Sequence, residues 1–570
     1  MIIGIDLGTT HSLAAYWRDG QAHIIPNALG ENLTPSVVGM DDDGSVLVGK
    51  AARERLQTHP QLTTALFKRY MGSERQVQLG QQRFRPEELS SMILRSLKAD
   101  AEALLGEPVD EAIITVPAYF SDAQRKATRH AGELAGFKVE RLLNEPTAAA
   151  LAYGMLDSGQ ESKFLVFDLG GGTFDVSILE LFDGVMEVRA SAGDNFLGGE
   201  DFVNLLVQQF MLKSGLQKRL GKGGVLDARQ QQRLLDEAER AKRKLSEQPR
   251  ASMLLRFPDQ EYEWVIDEDE FGTLAEPLLQ RLRQPVERAL RDATIRASEL
   301  DNVVLAGGAT RMPLVRKLVS RMFGRIPAMH LNPDEAIALG AAIQAGLKMR
   351  DSALEEIVMT DVSPYSLGIN ISLQIGPNQY DPGHFLPIIE RNSTVPVSRL
   401  KSITTVSDNQ KELTVAIFQG ESRLVKDNVY LGKIDFAIPQ KKAGEISVDI
   451  RFTYDISGVL EAEAKIKQTG EVHKVIITDN PGVMTREQME QRMRELADLK
   501  IHPRDQMENR TVIAHADRLY EQSLGDLRSF LAHHIARFQA TLETQDPDQI
   551  RHARAQLQKI LEQIEHESYL

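Results

Sequence analysis

The sequence predicts a multidomain chain: an α/β region of two similar halves, then an antiparallel β-sandwich, then a short helical end. Three observations carry this reading. Up to about Gly346, apolar strand-like runs alternate with helical stretches. From Ser363 to Thr478 the chain is rich in β-branched residues with period-two alternation. After Pro481-Gly482 it turns helical. A length of 570 residues also exceeds what one hydrophobic core can serve.

The first region carries an internal duplication. Gly4-Ile5-Asp6-Leu7-Gly8-Thr9-Thr10 and Phe167-Asp168-Leu169-Gly170-Gly171-Gly172-Thr173 share one plan, an apolar strand ending in Asp followed by a Gly/Thr turn. Small-residue stretches echo each other as well: Asn144-Glu145-Pro146-Thr147-Ala148-Ala149-Ala150 and Asn332-Pro333-Asp334-Glu335-Ala336-Ile337-Ala338. Two similar halves imply a pseudo-twofold with a cleft between them. Glycine in such a turn lets backbone N–H groups approach phosphate oxygens, and threonine hydroxyls add donors. An Asp just before the turn is placed to hold hydrated Mg²⁺ through its waters. Gly307-Gly308-Ala309-Thr310-Arg311 adds a third turn after the buried run Val303-Val304-Leu305-Ala306. No Gly-Lys-Ser/Thr follows, so this is not a Walker A loop, and neither hairpin has the Rossmann glycine spacing. Asp236 to Ser246 reads as an exposed charged helix.

In the sandwich, Leu367, Ile369, Ile371 and Leu373 alternate with polar residues, and Leu413-Thr414-Val415-Ala416-Ile417 repeats the device. An alternating sheet edge or groove suits an extended peptide. The helical end opens on the capping-box pattern Thr485-Arg486-Glu487-Gln488, and Asp546-Pro547 caps a last helix. That helix carries an apolar stripe of Ile550, Ala553, Leu557, Ile560, Leu561 and Ile564. Expected bounds are 1–350 for the α/β domain, 351–361 for a linker, 362–484 for the sandwich and 485–570 for the helices.

Composition excludes several classes. A net charge of −14 without a Lys/Arg block argues against nucleic acid. The absence of cysteine removes disulfides, thiolate zinc, iron–sulfur clusters and a thiol nucleophile. No signal-like start and no long apolar run is seen, so the expectation is a cytoplasmic protein, off the membrane and monomeric.

The motifs above, with Val116-Pro117-Ala118-Tyr119-Phe120 and Leu197-Gly198-Gly199-Glu200-Asp201, resemble the DnaK-type, seventy-kilodalton heat-shock chaperone family, and within it the compact HscC-like branch. The resemblance runs to about Pro481. It implies an actin-like α/β ATPase domain of two pseudo-symmetric lobes, a β-sandwich that binds peptide and a short helical lid. It further implies ATP-dependent chaperone activity in protein folding and the stress response. The expected ligands are ATP or ADP with Mg²⁺, with K⁺ as a further candidate.

Carried over by position, the resemblance makes Lys68, Glu145, Asp175 and Thr173 catalytic. Asp6 and Asp168 hold Mg²⁺, mostly through water. Gly8, Thr9, Thr10, Gly170, Gly171 and Gly172 cradle phosphates. Gly199, Glu239, Lys242, Arg243, Ser246, Gly307, Gly308, Arg311 and Asp334 complete the nucleotide site, with Arg243 and Arg311 stacking on adenine. Ala309 departs from the family's usual polar residue. Ile369, Ile371, Ser372, Ile403, Val406, Leu413 and Val415 surround the peptide. Pro117, Arg125, Ile357, Val358 and Asp361 relay between cleft and linker. The stretch Ile375 to Phe385 is longer than the family's loop there.

Implied partners are unfolded or extended polypeptide segments and a J-domain co-chaperone. The sequence between Lys68 and Glu87 is short for the family, which argues against an exchange factor of the GrpE type. A short lid implies fast peptide exchange. A small-molecule kinase on the same fold and a filament-forming ATPase stand as alternatives.

Overall fold

The computed structural model describes residues 1–41, 44–154, 161–182, 185–221, 225–328, 331–351, 354, 358–376, 379–455, 458–478 and 503–568. The chain divides into two compact units. The first runs from Met1 to Tyr365 and takes in Arg391–Val395; the second comprises Ser366–Glu390, Pro396–Thr478 and the C-terminal helices. The expected boundary at 350 therefore falls inside the first unit. Thr485 to Gln488 and Ile357 lie outside the described residues.

The first unit holds two six-stranded sheets with the same plan. In one, Ile2–Asp6 pairs antiparallel with His11–Arg18 and parallel with Glu111–Val116. In the other, Ser162–Leu169 pairs antiparallel with Phe174–Phe182 and parallel with Asn302–Ala306. Each sheet then adds an outer antiparallel strand, Gln21–Ile25 or Val185–Asp194. The duplicated Asp-Leu-Gly signal thus marks the same bend in both halves. The central strands are buried on both faces, which explains why they read as continuous apolar runs.

The echoing small-residue segments become two helices, Glu145–Gly154 and Ala336–Lys348, packed on each other near the pseudo-axis. Alanine and glycine allow this close approach. A Cβ built on Gly340 would stand 1.7 Å from the carbonyl oxygen of Ala148. Short of the expected bulk, the stretch after Lys68 is a 3-10 turn, Phe67–Tyr70, and a small hairpin of Val77–Leu79 and Gln82–Phe84.

The described end of the expected linker is a strand. Val358–Val362 pairs parallel with Val185–Asp194 and antiparallel with Thr394–Val395, extending the second sheet. Arg391 forms a two-pronged ion pair with Asp292 (2.8 and 3.0 Å), and Asn392 Nδ2 donates to the same carboxylate at 3.0 Å.

The second unit is a sandwich of two four-stranded sheets. One orders Gln379–Ile389, Leu367–Gly376, Glu412–Gln419 and Val429–Ala437; the other orders Val397–Thr404, Ser447–Tyr454, Val459–Ile466 and Val472–Thr478. The stretch expected as a loop from Ile375 to Phe385 is largely strand instead: the first hairpin is elongated. A register slip next to Pro382-Gly383, with Gly383 at φ 88°, bulges its second strand. Among the described residues three helices follow, Met507–Gln522, Gly525–Thr544 and Pro547–Ser568, sharing an apolar core with Ile550, Leu557, Leu561 and Ile564 buried in it. Asp546 caps the last helix through the N–H groups of Asp548 and Gln549 (3.0 and 3.1 Å). Among the described residues no helix is long and apolar enough to cross a membrane.

Candidate active site

The two Gly/Thr turns meet tip to tip. A Cβ on Gly171 would lie 2.3 Å from the Thr10 methyl, and one on Gly172 would lie 2.6 Å from the Thr9 methyl. Only glycine lets the second turn approach the first this closely. Behind them opens a cavity of about 700 Å³ lined by both turns, by Gly307 and Gly308, and by Lys68, Glu145, Glu239, Arg243 and Asp334.

At its floor Lys68 Nζ donates to Glu145 Oε1 at 2.7 Å, and both side chains are buried. Glu145 opens its helix, so its carboxylate sits at the helix N-terminus. Asp6 ends the first strand and accepts from Thr115 Oγ1 at 3.4 Å. Asp175 faces Asp168 in the second hairpin and accepts from the Tyr119 N–H at 3.1 Å. Asp168 Oδ2 is buried without a hydrogen-bond partner.

These carboxyl groups are crowded. Burial, then the Glu145 charge, pushes Asp6 up to about 7. The same two causes push Asp175 up to about 7. Burial, then Glu145, Asp175 and Asp6, raises Asp168 well above the usual carboxylate range. Buried like charges with an orphaned oxygen fit a site built for a cation. Among the described residues no three His, Cys, Asp or Glu side chains close directly on one point.

A pH prediction follows. The folded state holds the Asp175 proton to about 7, whereas the unfolded chain releases it near 3.8. Stability therefore falls as pH rises through that window and stays low above it. Asp175→Asn removes this penalty. Without added nucleotide or divalent cation, urea unfolding is expected to show the variant gaining on the parent by on the order of 2–4 kcal/mol between pH 4 and pH 8. A constant difference across that range counts against the assignment.

Across the cavity, the helix Ala228–Lys244 starts from a capping box in which Asp227 Oδ1 accepts from Gln230 N at 2.8 Å. It buries Leu234, Ala238 and Ala241, so the expected exposed helix has one core face. Its other side presents Glu239, bonded at 2.6 Å by both Lys242 and Arg243. Burial pushes the Glu239 carboxyl up, and the two cations more than offset that and hold it below its usual range. Lys242 Nζ also donates to the Gly199 carbonyl at 3.3 Å, and the Ser246 hydroxyl donates to the Lys242 carbonyl. Arg311 is held by Asp334 and Asn332, at 2.6 Å from Nη2 to each. Arg243 and Arg311 both line the cavity and are half-exposed.

Of the residues expected to form the relay, Arg125 and Asp361 are joined through Asn144 within the first unit. Arg125 Nη2 donates to Asn144 Oδ1 at 2.8 Å, and Asn144 Nδ2 donates to both oxygens of Asp361 at 3.0 and 2.9 Å. Burial pushes the Asp361 carboxyl up. Pro117 begins the turn that places Tyr119 on Asp175, its carbonyl accepting from Phe120 N. Tyr119 also stacks on Tyr365 (4.6 Å between ring centres), whose hydroxyl donates to the Tyr119 carbonyl at 2.7 Å. Sequence reasoning missed the place of Asn144 between Arg125 and Asp361, although it stood beside Glu145 in the motif. It also missed the ion pair of Arg69 with Asp201 (2.6 Å), which ties the two halves across the cleft.

In the second unit, Ile369 and Val415 are closed inside the sandwich, at 0% and 1% exposure. Ile371, Ser372, Ile403, Val406 and Leu413 are partly exposed.

The sequence matches the family described as Hsp70 protein over residues 2–569. It is 41% identical over 492 residues to the Chaperone protein DnaK of Thermotoga neapolitana (strain ATCC 49049 / DSM 4359 / NBRC 107923 / NS-E), covering 84% of this chain and 80% of that protein. The proteins of the same name from Thermotoga petrophila (strain ATCC BAA-488 / DSM 13995 / JCM 10881 / RKU-1) and Thermotoga sp. (strain RQ2) are each 40% identical with the same coverage.

Proposed function

The chain belongs to the Hsp70 protein family, and on that premise we propose that it is an ATP-hydrolysing chaperone whose nucleotide cleft governs capture and release of extended apolar peptide by the sandwich. The observation that carries the nucleotide half is the meeting of the two Gly/Thr turns above a buried lysine and four carboxylates.

Thr9, Thr10, Thr173 and the glycine backbone of both turns hold the β- and γ-phosphates. Asp6 and Asp168 would hold Mg²⁺, mostly through water, and the ion would supply charge neutralisation on those phosphates. Lys68 orients the attacking water and stabilises charge on the transferring group, while Glu145 and Asp175 accept its hydrogen bonds. Phosphoryl transfer asks mainly for such positioning and charge stabilisation. Glu239, Lys242, Arg243, Ser246, Arg311 and Asp334 hold the nucleoside.

Coupling is supported by the placement of Asn144, which bonds the linker's Asp361 and stands one residue before Glu145. Tyr119 offers a second route, bonding Asp175 through its N–H and Tyr365 through its carbonyl. Peptide in the groove would reach the cleft by shifting the linker strand between paired and unpaired states.

Steady-state ATP hydrolysis with and without a short apolar peptide tests both halves. Peptide is expected to raise the rate, Thr173→Ala to abolish hydrolysis, and Val358→Asp to abolish stimulation while leaving a basal rate. A peptide-insensitive rate would return the question to the kinase and filament readings. Peptide stimulation that survives Val358→Asp would remove the linker strand from the coupling route.

A further inference from the structure

One titratable group in the cleft has no part in the chemistry above. His11 opens its strand directly after Thr9-Thr10 and lines the cavity. Arg53, from the helix Lys50–Thr58, and Arg243 share that lining, as do Glu239 and Asp334. The imidazole therefore faces charged groups from three elements: Arg53 on one helix, Arg243 and Glu239 on another, and Asp334 ahead of the helix Ala336–Lys348. Burial, then the Arg53 and Arg243 charges, lowers His11 to about 4 against the weaker pull of Asp334 and Glu239. In the empty cleft the ring is thus neutral at neutral pH, with two guanidinium groups near it.

The ring shares its cavity wall with two guanidinium groups, Arg53 and the Glu239-paired Arg243, directly after the Thr9-Thr10 turn. A nucleotide polyphosphate seated on the Thr9-Thr10 turn adds negative charge beside the ring and favours its charged form. Resting on the nucleotide reading above, we propose that His11 becomes an imidazolium when nucleotide binds, taking its proton from solvent, so that Arg53 and His11 are further nucleotide-binding residues and affinity is coupled to pH. The neighbouring carboxylates work the other way: Asp6 and Asp175 release protons when a cation arrives. Only the difference between the parent chain and a His11 variant isolates the ring.

The test is titration calorimetry of the whole chain with ADP and Mg²⁺ at pH 7, in two buffers of different ionisation enthalpy, for the parent, His11→Asn and His11→Gln. The parent is expected to take up about half a proton more than either variant, equivalent to about a threefold tighter Kd per unit fall in pH. Equal proton counts overturn the proposal. If the variants bind too weakly to titrate, NMR of the parent's His11 ring decides: a pKa that rises on adding ADP and Mg²⁺ sustains it, and an unmoved one overturns it. Failure of the parent itself to bind ADP would sink the nucleotide reading instead.

Discussion

Lys68→Ala is expected to slow ATP hydrolysis by a factor of about 10²–10³ while leaving nucleotide affinity within a few-fold. The lysine is 3% exposed, 2.7 Å from Glu145, and 5.6 Å from the centre of the Phe120 ring. Among the described residues Lys68 is the cation ion-paired with Glu145. Removing it also leaves a buried carboxylate unpaired beside three others. That costs on the order of 3–5 kcal/mol of stability in the empty protein. The loss is larger at pH 8 than at pH 6, because Asp6 and Asp175 accept protons near 7 and relieve the crowding. The double variant Lys68→Met with Glu145→Gln separates the two effects: stability returns and hydrolysis does not. Single-turnover hydrolysis alongside urea unfolding at both pH values reads both quantities. A single variant hydrolysing within tenfold of the parent would strip Lys68 of its catalytic role.

Much of this arrangement was legible because it is written locally. The strand, the Asp and the Gly/Thr turn are contiguous, and repeating them predicts two like halves with a cleft between them; the tip-to-tip meeting of the turns came only from the structure. The small-residue runs likewise announce two helices that must approach closely. What stayed hidden depends on contacts far apart in the chain. Asn144 bonds a residue 217 positions away, and Arg69 bonds one 132 positions away. No local period encodes either, since long-range pairing is set by how lobes and strands assemble. His11 carries no local motif of its own, and only the cavity shows which arginines share its wall. The elongated hairpin was masked differently. Pro382-Gly383 punctuates the alternation as a turn would, yet the strand absorbs it as a bulge and continues.

The largest structural effect is expected from Gly340→Val. The helix Ala336–Lys348 crosses Glu145–Gly154 so closely that a Cβ at 340 falls 1.7 Å from the Ala148 oxygen and 2.3 Å from its carbonyl carbon. Both contacts are backbone, so no side chain can rotate away, and one helix must move. Even a methyl group needs more than an ångström of separation at the centre of a close-packed region, at a cost of about 3 kcal/mol or more. The displaced helices carry the site: Glu145 begins one, and Asp334 lies two residues before the other. ADP binding should therefore weaken along with stability, and Gly340→Ala should do the same to a smaller degree. Gly272→Ala supplies the contrast, since its Cβ meets nothing within 4 Å inside a helix, and alanine there should stabilise by roughly 0.5–1 kcal/mol. The chain's two tryptophans, Trp17 and Trp264, both lie in the first unit, so their fluorescence during urea unfolding reports on the unit concerned. If Gly340→Ala unfolds at the same urea concentration as Gly272→Ala and binds ADP normally, the close helix crossing does not hold the two halves of the cleft in register.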